Sequence, residues 1–151
     1  MSAGPHLEGR YLEDLAIGQS AERKRIVTAD NIEAFAAVTG DDNPVHLDEA
    51  YAAKTSFGGR IAHGMLSAGY ISAVLGGQLP GPGAIYVSQT LNFRRPVRID
   101  EVTARVTVSA IDERRGRVTF ATVCEVGGKT VTEGEAVVIA SKRAPSENPA
   151  A

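Results

Sequence analysis

The chain has one cysteine, Cys124, and three histidines in 151 residues. A lone cysteine forms no intrachain disulfide, which fits a reducing cytoplasm. His6, His46 and His63 make no His-x-x-x-His or His-x-His pair, and Cys124 has no cysteine neighbour. No metal-ligand spacing is therefore present, and neither a metal nor a redox cofactor is expected. Residues Met1 to Gly9 lack the basic start and apolar run of a secretory signal. The longest apolar region, around Met65 to Leu75, is interrupted by Ser67, Gly69, Tyr70 and Ser72, so no membrane-spanning helix is expected. Charge of either sign is not in excess: 16 basic against 18 acidic residues give a net charge of −2. That balance carries no general attraction to nucleic acid or to an anionic membrane. A Gly-x-Ser-x-Gly elbow is missing, which disfavours a serine hydrolase. Gly81 and Gly83 lack the spacing and following helix of a nucleotide-binding loop and read as a turn.

What is present reads as one domain over residues 1–143, with a proline-rich tail at 144–151. The chain changes character halfway. Thr28 is an N-cap for a helix in which Ile32, Phe35 and Ala36 share an apolar face, with Asp30 and Glu33 near its positive end. Gly40 and Pro44 close that helix and begin an irregular loop. A short helix covers Glu49 to Lys54, and Gly58 and Gly59 end it. The next helix, from Gly64, is apolar on nearly every side and is expected to be buried all round.

From Ala84 to Ala140 the period becomes two. Val102, Ala104, Val106 and Val108 share one face, as do Val118, Phe120, Thr122, Cys124 and Val126, followed by Val131, Val137 and Ile139. Turns at Asp112 to Gly116 and Gly127-Gly128 join three long antiparallel strands. A strand at Ile85 to Phe93 and an early one near Glu22 to Val27 bring the sheet to about five. The expected class is α+β: a curved antiparallel sheet around one long apolar helix.

The segment Phe35 to Ala52, FAAVTGDDNPVHLDEAYA, carries the chemistry. Asp41 and His46 lie five positions apart across a proline, so the loop sets their geometry. A carboxylate and an imidazole brought together would share one water, and the imidazole takes or gives a proton near neutral pH. Asn43 is a natural orienting group, its amide both donating and accepting. Asp and Asn also favour turns and helix caps for purely structural reasons, and the residues alone leave both readings open.

This segment resembles the signature of the MaoC-like, R-specific enoyl-CoA hydratases. Phe35, Thr39, Gly40, Asp41, Asn43, Pro44, Val45, His46 and Ala52 satisfy each element of it. The likeness continues through Ala62 to Leu66, Leu79 to Gly81, Gln89 to Phe93, Arg94 to Val97 and Gly134 to Val137. The resemblance implies a hot-dog fold and reversible hydration of trans-2-enoyl-CoA to (R)-3-hydroxyacyl-CoA. It implies Asp41 and His46 as the catalytic pair, with Asn43 steadying them and Ser72 as a polar residue near them. It also implies the Gly64 backbone N–H as donor to the thioester oxygen, where a helix N-terminus suits developing negative charge.

His63 reads as a brace for the loop, since an acid or base needs a matched partner. Arg94, Arg95 and Arg98 cluster at a strand end, facing solvent or the phosphates of coenzyme A or of a carrier's phosphopantetheine. Dehydration of carrier-bound or branched 3-hydroxyacyl thioesters is the near alternative. A hot-dog thioesterase is a distant one, disfavoured because both acid-base groups lie on one loop with the signature intact, and a non-catalytic acyl-CoA sensor is another, disfavoured because it would leave that pair unused. A homodimer is expected, because one helix does not shield the whole sheet.

Overall fold

The computed structural model describes residues 9–143. The expected tail at 144–151, the first eight residues of the expected domain and His6 lie outside the described residues. After a 3-10 turn at Leu12–Asp14, the order is β1 (Ser20–Ile26), α1 (Ala29–Thr39), α2 (Pro44–Leu47), α3 (Glu49–Ala53) and α4 (Gly64–Gly77). Then follow β2 (Ile85–Gln89), β3 (Asn92–Phe93), β4 (Glu101–Asp112), β5 (Arg117–Val126) and β6 (Lys129–Ile139).

The six strands form one antiparallel sheet in the order β1-β4-β5-β6-β2, with β3 also pairing with β6. Alternation decides which face is inside. Val102, Ala104, Val106 and Val108 of β4, with Val118, Phe120 and Cys124 of β5, are buried against Ile71, Val74 and Leu75 of α4. The helix lies in the concave side of the sheet, the hot-dog arrangement, and the fold is α+β.

Four expectations are corrected. Pro44 does not simply lengthen the loop; it occupies the first turn of α2, where its missing N–H costs nothing. The strand expected over Ile85 to Phe93 is broken at Thr90-Leu91, where the Thr90 carbonyl crosses β6 so closely that a Cβ on Gly134 would lie 1.8 Å from it. The buried residues of β6 are Val131 and Thr132 and then Ala136 and Val138, with Ala140 just past its end, not Val137 and Ile139. Pairing skips Val131 between Thr130 and Thr132, and this bulge moves the inward phase by one residue.

The last correction concerns α4. Ser67, Ile71, Val74 and Leu75 are buried, but Met65, Gly69, Ser72, Ala73 and Gly76 are exposed. The sheet curls around one side of the helix only, so its apolar character continues onto a face the chain does not cover. Among the described residues, no helix is long and apolar enough to cross a membrane.

Candidate active site

The loop carrying Asp41 and His46 is built by local hydrogen bonds. Thr28 and Asn31 cap α1 reciprocally, each side chain accepting from the other's backbone N–H at 3.1 Å. Gly40 ends α1 at φ 80°, a left-handed conformation that favours glycine, with its N–H on the Ala36 carbonyl. The Thr39 hydroxyl donates to the Phe35 carbonyl at 2.7 Å and accepts from the Asp41 N–H at 3.2 Å. Asp41 Oδ1 in turn accepts from the Asn43 N–H at 3.4 Å. Asn43 caps α2, its Oδ1 accepting from the Val45 N–H at 3.2 Å. Its side chain steadies the short helix that holds His46, and it is not among the residues around the cavity described below.

His46 is buried at 9% exposure, and its Nδ1 lies 2.8 Å from the Ile61 carbonyl. A carbonyl only accepts, so Nδ1 carries the hydrogen and Nε2 the free lone pair. Asp41 is exposed, whereas His63 is 2% exposed. By the same argument His63 Nε2 donates to the Asp41 carbonyl at 2.9 Å. Its ring stacks on His46 at 3.9 Å and 30°, with Phe35 on it at 4.6 Å. His63 Nδ1 is buried without a partner. His63 is thus a brace that ties Asp41 to the start of α4, as the sequence suggests.

Asp41, His46 and His63 each offer one ligand atom, all within 4.8 Å of one another. Around zinc, with bonds of about 2.0–2.1 Å, lone pairs converge on one point. Here two stacked rings present theirs side by side, and His63 Nε2 already serves Asp41. The hydrogen bonds that both rings already make suit proton transfer better than ligation. The thiol of Cys124 is no nucleophile either, because burial pushes its pKa up to about 12.

The pair opens onto a cavity of about 440 Å³, within the usual range for small-molecule sites. Gly64 and Ser67, on the first turn of α4, line it together with Phe57, Met65, Phe93 and Val97. The first backbone N–H groups of a helix have no intrahelical partner, so the N-terminus of α4 supplies free donors at the cavity. A Cβ on Gly64 would meet the Phe93 ring at 2.7 Å, so glycine here lets β3 close over the helix start.

The arginine cluster divides. Arg94 and Arg95 line the cavity; Arg94 pairs with Glu133 at 2.6 Å and Arg95 Nη1 donates to the Thr130 carbonyl at 2.5 Å. Arg98 is outside the cavity lining and donates to the Phe57 carbonyl at 2.5 Å. Within one chain Ser72 is not brought to the pair. It is exposed on α4, eight residues past Gly64, a rise of about 12 Å, and the cavity hydroxyl on α4 is that of Ser67. Neither Ser67 nor Phe93 was signalled beforehand, since contact between β3 and the start of α4 is not a sequence pattern.

The family model described as "MaoC like domain" matches residues 14–135. The chain belongs to this MaoC-like family. It is 54% identical over 134 residues to the (R)-specific enoyl-CoA hydratase of Rhodospirillum rubrum, covering 88% of this chain and 93% of that one. It is 50% identical over 140 residues to the 3-hydroxybutyryl-CoA dehydratase of Methylorubrum extorquens, covering 92% and 89%. Among solved structures, an R-hydratase of Pseudomonas aeruginosa superimposes with a TM-score of 0.85 at 42% identity, covering 95% and 96%. The fold and the relatives thus agree with the family that the Phe35 to Ala52 segment resembles.

The Gly64–Phe93 contact is testable by thermal unfolding. Gly64→Ala should destabilise by about 1–3 kcal/mol through overpacking. In a Phe93→Ala background the same change should be neutral or stabilising, because alanine is the better helix former. Equal losses in both backgrounds would show that the ring is not what requires glycine.

Proposed function

We propose that this MaoC-like protein reversibly hydrates trans-2-enoyl-CoA to (R)-3-hydroxyacyl-CoA, using no metal or redox cofactor. The observation that carries the reading is the 2.8 Å contact of His46 Nδ1 with the Ile61 carbonyl. With Nδ1 committed to Ile61, Nε2 is the nitrogen left to act as an acceptor, and a ring nitrogen of His46 lies within 4.8 Å of a carboxylate oxygen of Asp41. That span suits one water donating a hydrogen to each group.

As the water oxygen attacks C3, the pair takes one of its protons. The C2–C3 π electrons move toward the thioester carbonyl, and the Gly64 N–H at the helix N-terminus stabilises the enolate oxygen. The proton then passes to C2 from the side that holds Asp41 and His46. Nothing is oxidised or reduced, so atoms and charge balance without a cofactor. In reverse the same groups remove the C2 proton and release water. The R configuration is supported by the names of the relatives. A cytoplasmic location is in keeping with the single buried, unpaired cysteine.

Hydration of crotonyl-CoA, followed by loss of the enoyl-thioester absorbance, tests the reading. Wild type should give R product, and folded Asp41→Asn and His46→Gln variants should each lose at least about 100-fold in kcat, the scale of general acid–base catalysis. Release of free thiol with the double bond intact would overturn it in favour of a thioesterase. If only carrier-bound or branched substrates react, the alternative dehydratase reading replaces it.

The active unit we propose is a homodimer. Edge strand β1 is guarded by Glu22, Arg23, Lys24 and Arg25, but edge strand β2 exposes Ile85 at 59%, Tyr86 at 39% and Val87 at 41%. Together with the uncovered face of α4, this is apolar surface that a second copy would bury, enclosing Ser72. Light scattering after size exclusion should give twice the chain mass; a stable monomer at micromolar concentration contradicts it.

A further inference from the structure

We propose that Arg60 is the positioning residue that aims His46. This rests on the hydratase reading for its kinetic consequences but not for its geometry. His46 sits on α2, a helix of four residues, too short to be stable alone. The carbonyl of His46 lies in its last turn, where no later residue of the helix supplies a donor.

Arg60 fills that place. Its Nε donates to the His46 carbonyl at 2.6 Å, a positive charge at a helix C-terminus and a charge-assisted bond. Its Nη2 points toward α1, 3.9 Å from Glu33 Oε1, and its backbone N–H donates to Glu49 Oε2 of α3 at 3.4 Å. The side chain is 16% exposed, and Nη2 is buried with no hydrogen bond. Residue 60 thus meets all three helices: Nε bonds α2, Nη2 faces the Glu33 carboxylate of α1, and the backbone N–H bonds α3. The next residue, Ile61, accepts from His46 Nδ1 and donates its own N–H to the Val45 carbonyl at 3.4 Å.

Arg60 thus grips the backbone of His46 while Ile61 grips its ring. Together they fix where Nε2 points. Arg60 does not line the cavity, so it acts through His46 and not on substrate. A misplacement of about 1 Å in a reacting group costs on the order of 100-fold in rate.

The test uses the full chain with crotonyl-CoA. Arg60→Met should lower kcat about 10- to 100-fold while KM stays within about two-fold. Arg60→Lys, which keeps a donor and the charge but not the fork, should recover part of the loss. In a His46→Gln background Arg60→Met should do nothing more to the residual rate. Unchanged kcat, a loss confined to KM, or an undiminished loss in the His46→Gln background would overturn the proposal. Nitrogen-15 NMR of the His46 ring gives a readout independent of activity. Wild type should show a single Nδ1-protonated tautomer and Arg60→Met, or Arg60→Lys if the former does not fold, a tautomer mixture or a shifted ring signal. A His46 signal identical in wild type and variant would also overturn it. Failure of wild type to hydrate would sink the hydratase reading while leaving the NMR test of Arg60 standing.

Discussion

The hydrogen bond from His63 Nε2 to the Asp41 carbonyl joins parts of the chain 22 residues apart, and the rest of the site depends on it. Gly64 follows His63 directly, so this bond fixes the spacing between the loop that carries Asp41 and the first N–H groups of α4. The same imidazole is the floor on which His46 stacks. A single such bond contributes only about 0.5–1.5 kcal/mol to stability, yet losing it would leave a buried polar group unpaired. Its larger effect is geometric: one side chain sets the register of loop, ring and helix start.

The sheet completes the site from the other side. The bulge at Val131 not only shifts the inward phase of β6 but leaves the Val131 carbonyl to accept from the N–H groups of both Arg94 and Arg95, at 2.7 and 3.2 Å. That anchors the segment that brings Phe93, Arg94 and Arg95 to the cavity wall. Bulges commonly re-aim a strand next to a functional site. Here the departure from regular pairing hangs the wall over the helix N-terminus.

Sequence pattern revealed the parts governed by local rules. Thr28 as a cap, Gly40 as a helix end, the inward faces of β4 and β5, and the irregular segment that begins at Gly40 follow from periodicity, capping chemistry and spacing. Positions set by distant contacts were not legible. The phase change on β6 arises from a bulge, which no alternation announces. The break at Thr90 exists because its carbonyl crosses over Gly134, and Phe93 meets Gly64 only after the sheet has curled. The exposure of Ser72 in one chain was not legible either, since its face of α4 is decided by how far the sheet wraps. Arg60 stood in an ordinary glycine-rich stretch, and only folding brings it against His46.

In the proposed reaction Asp41 and His46, from one short segment of chain, face substrate on one side of the double bond. Hydration of crotonyl-CoA in deuterium oxide, with the C2 and C3 configurations of the product read by proton NMR, tests it most directly. Deuterium at C2 on the same face as the new C3 hydroxyl is the predicted result. Deuterium on the opposite face would require a proton donor across the cavity from Asp41 and His46, and would contradict the account.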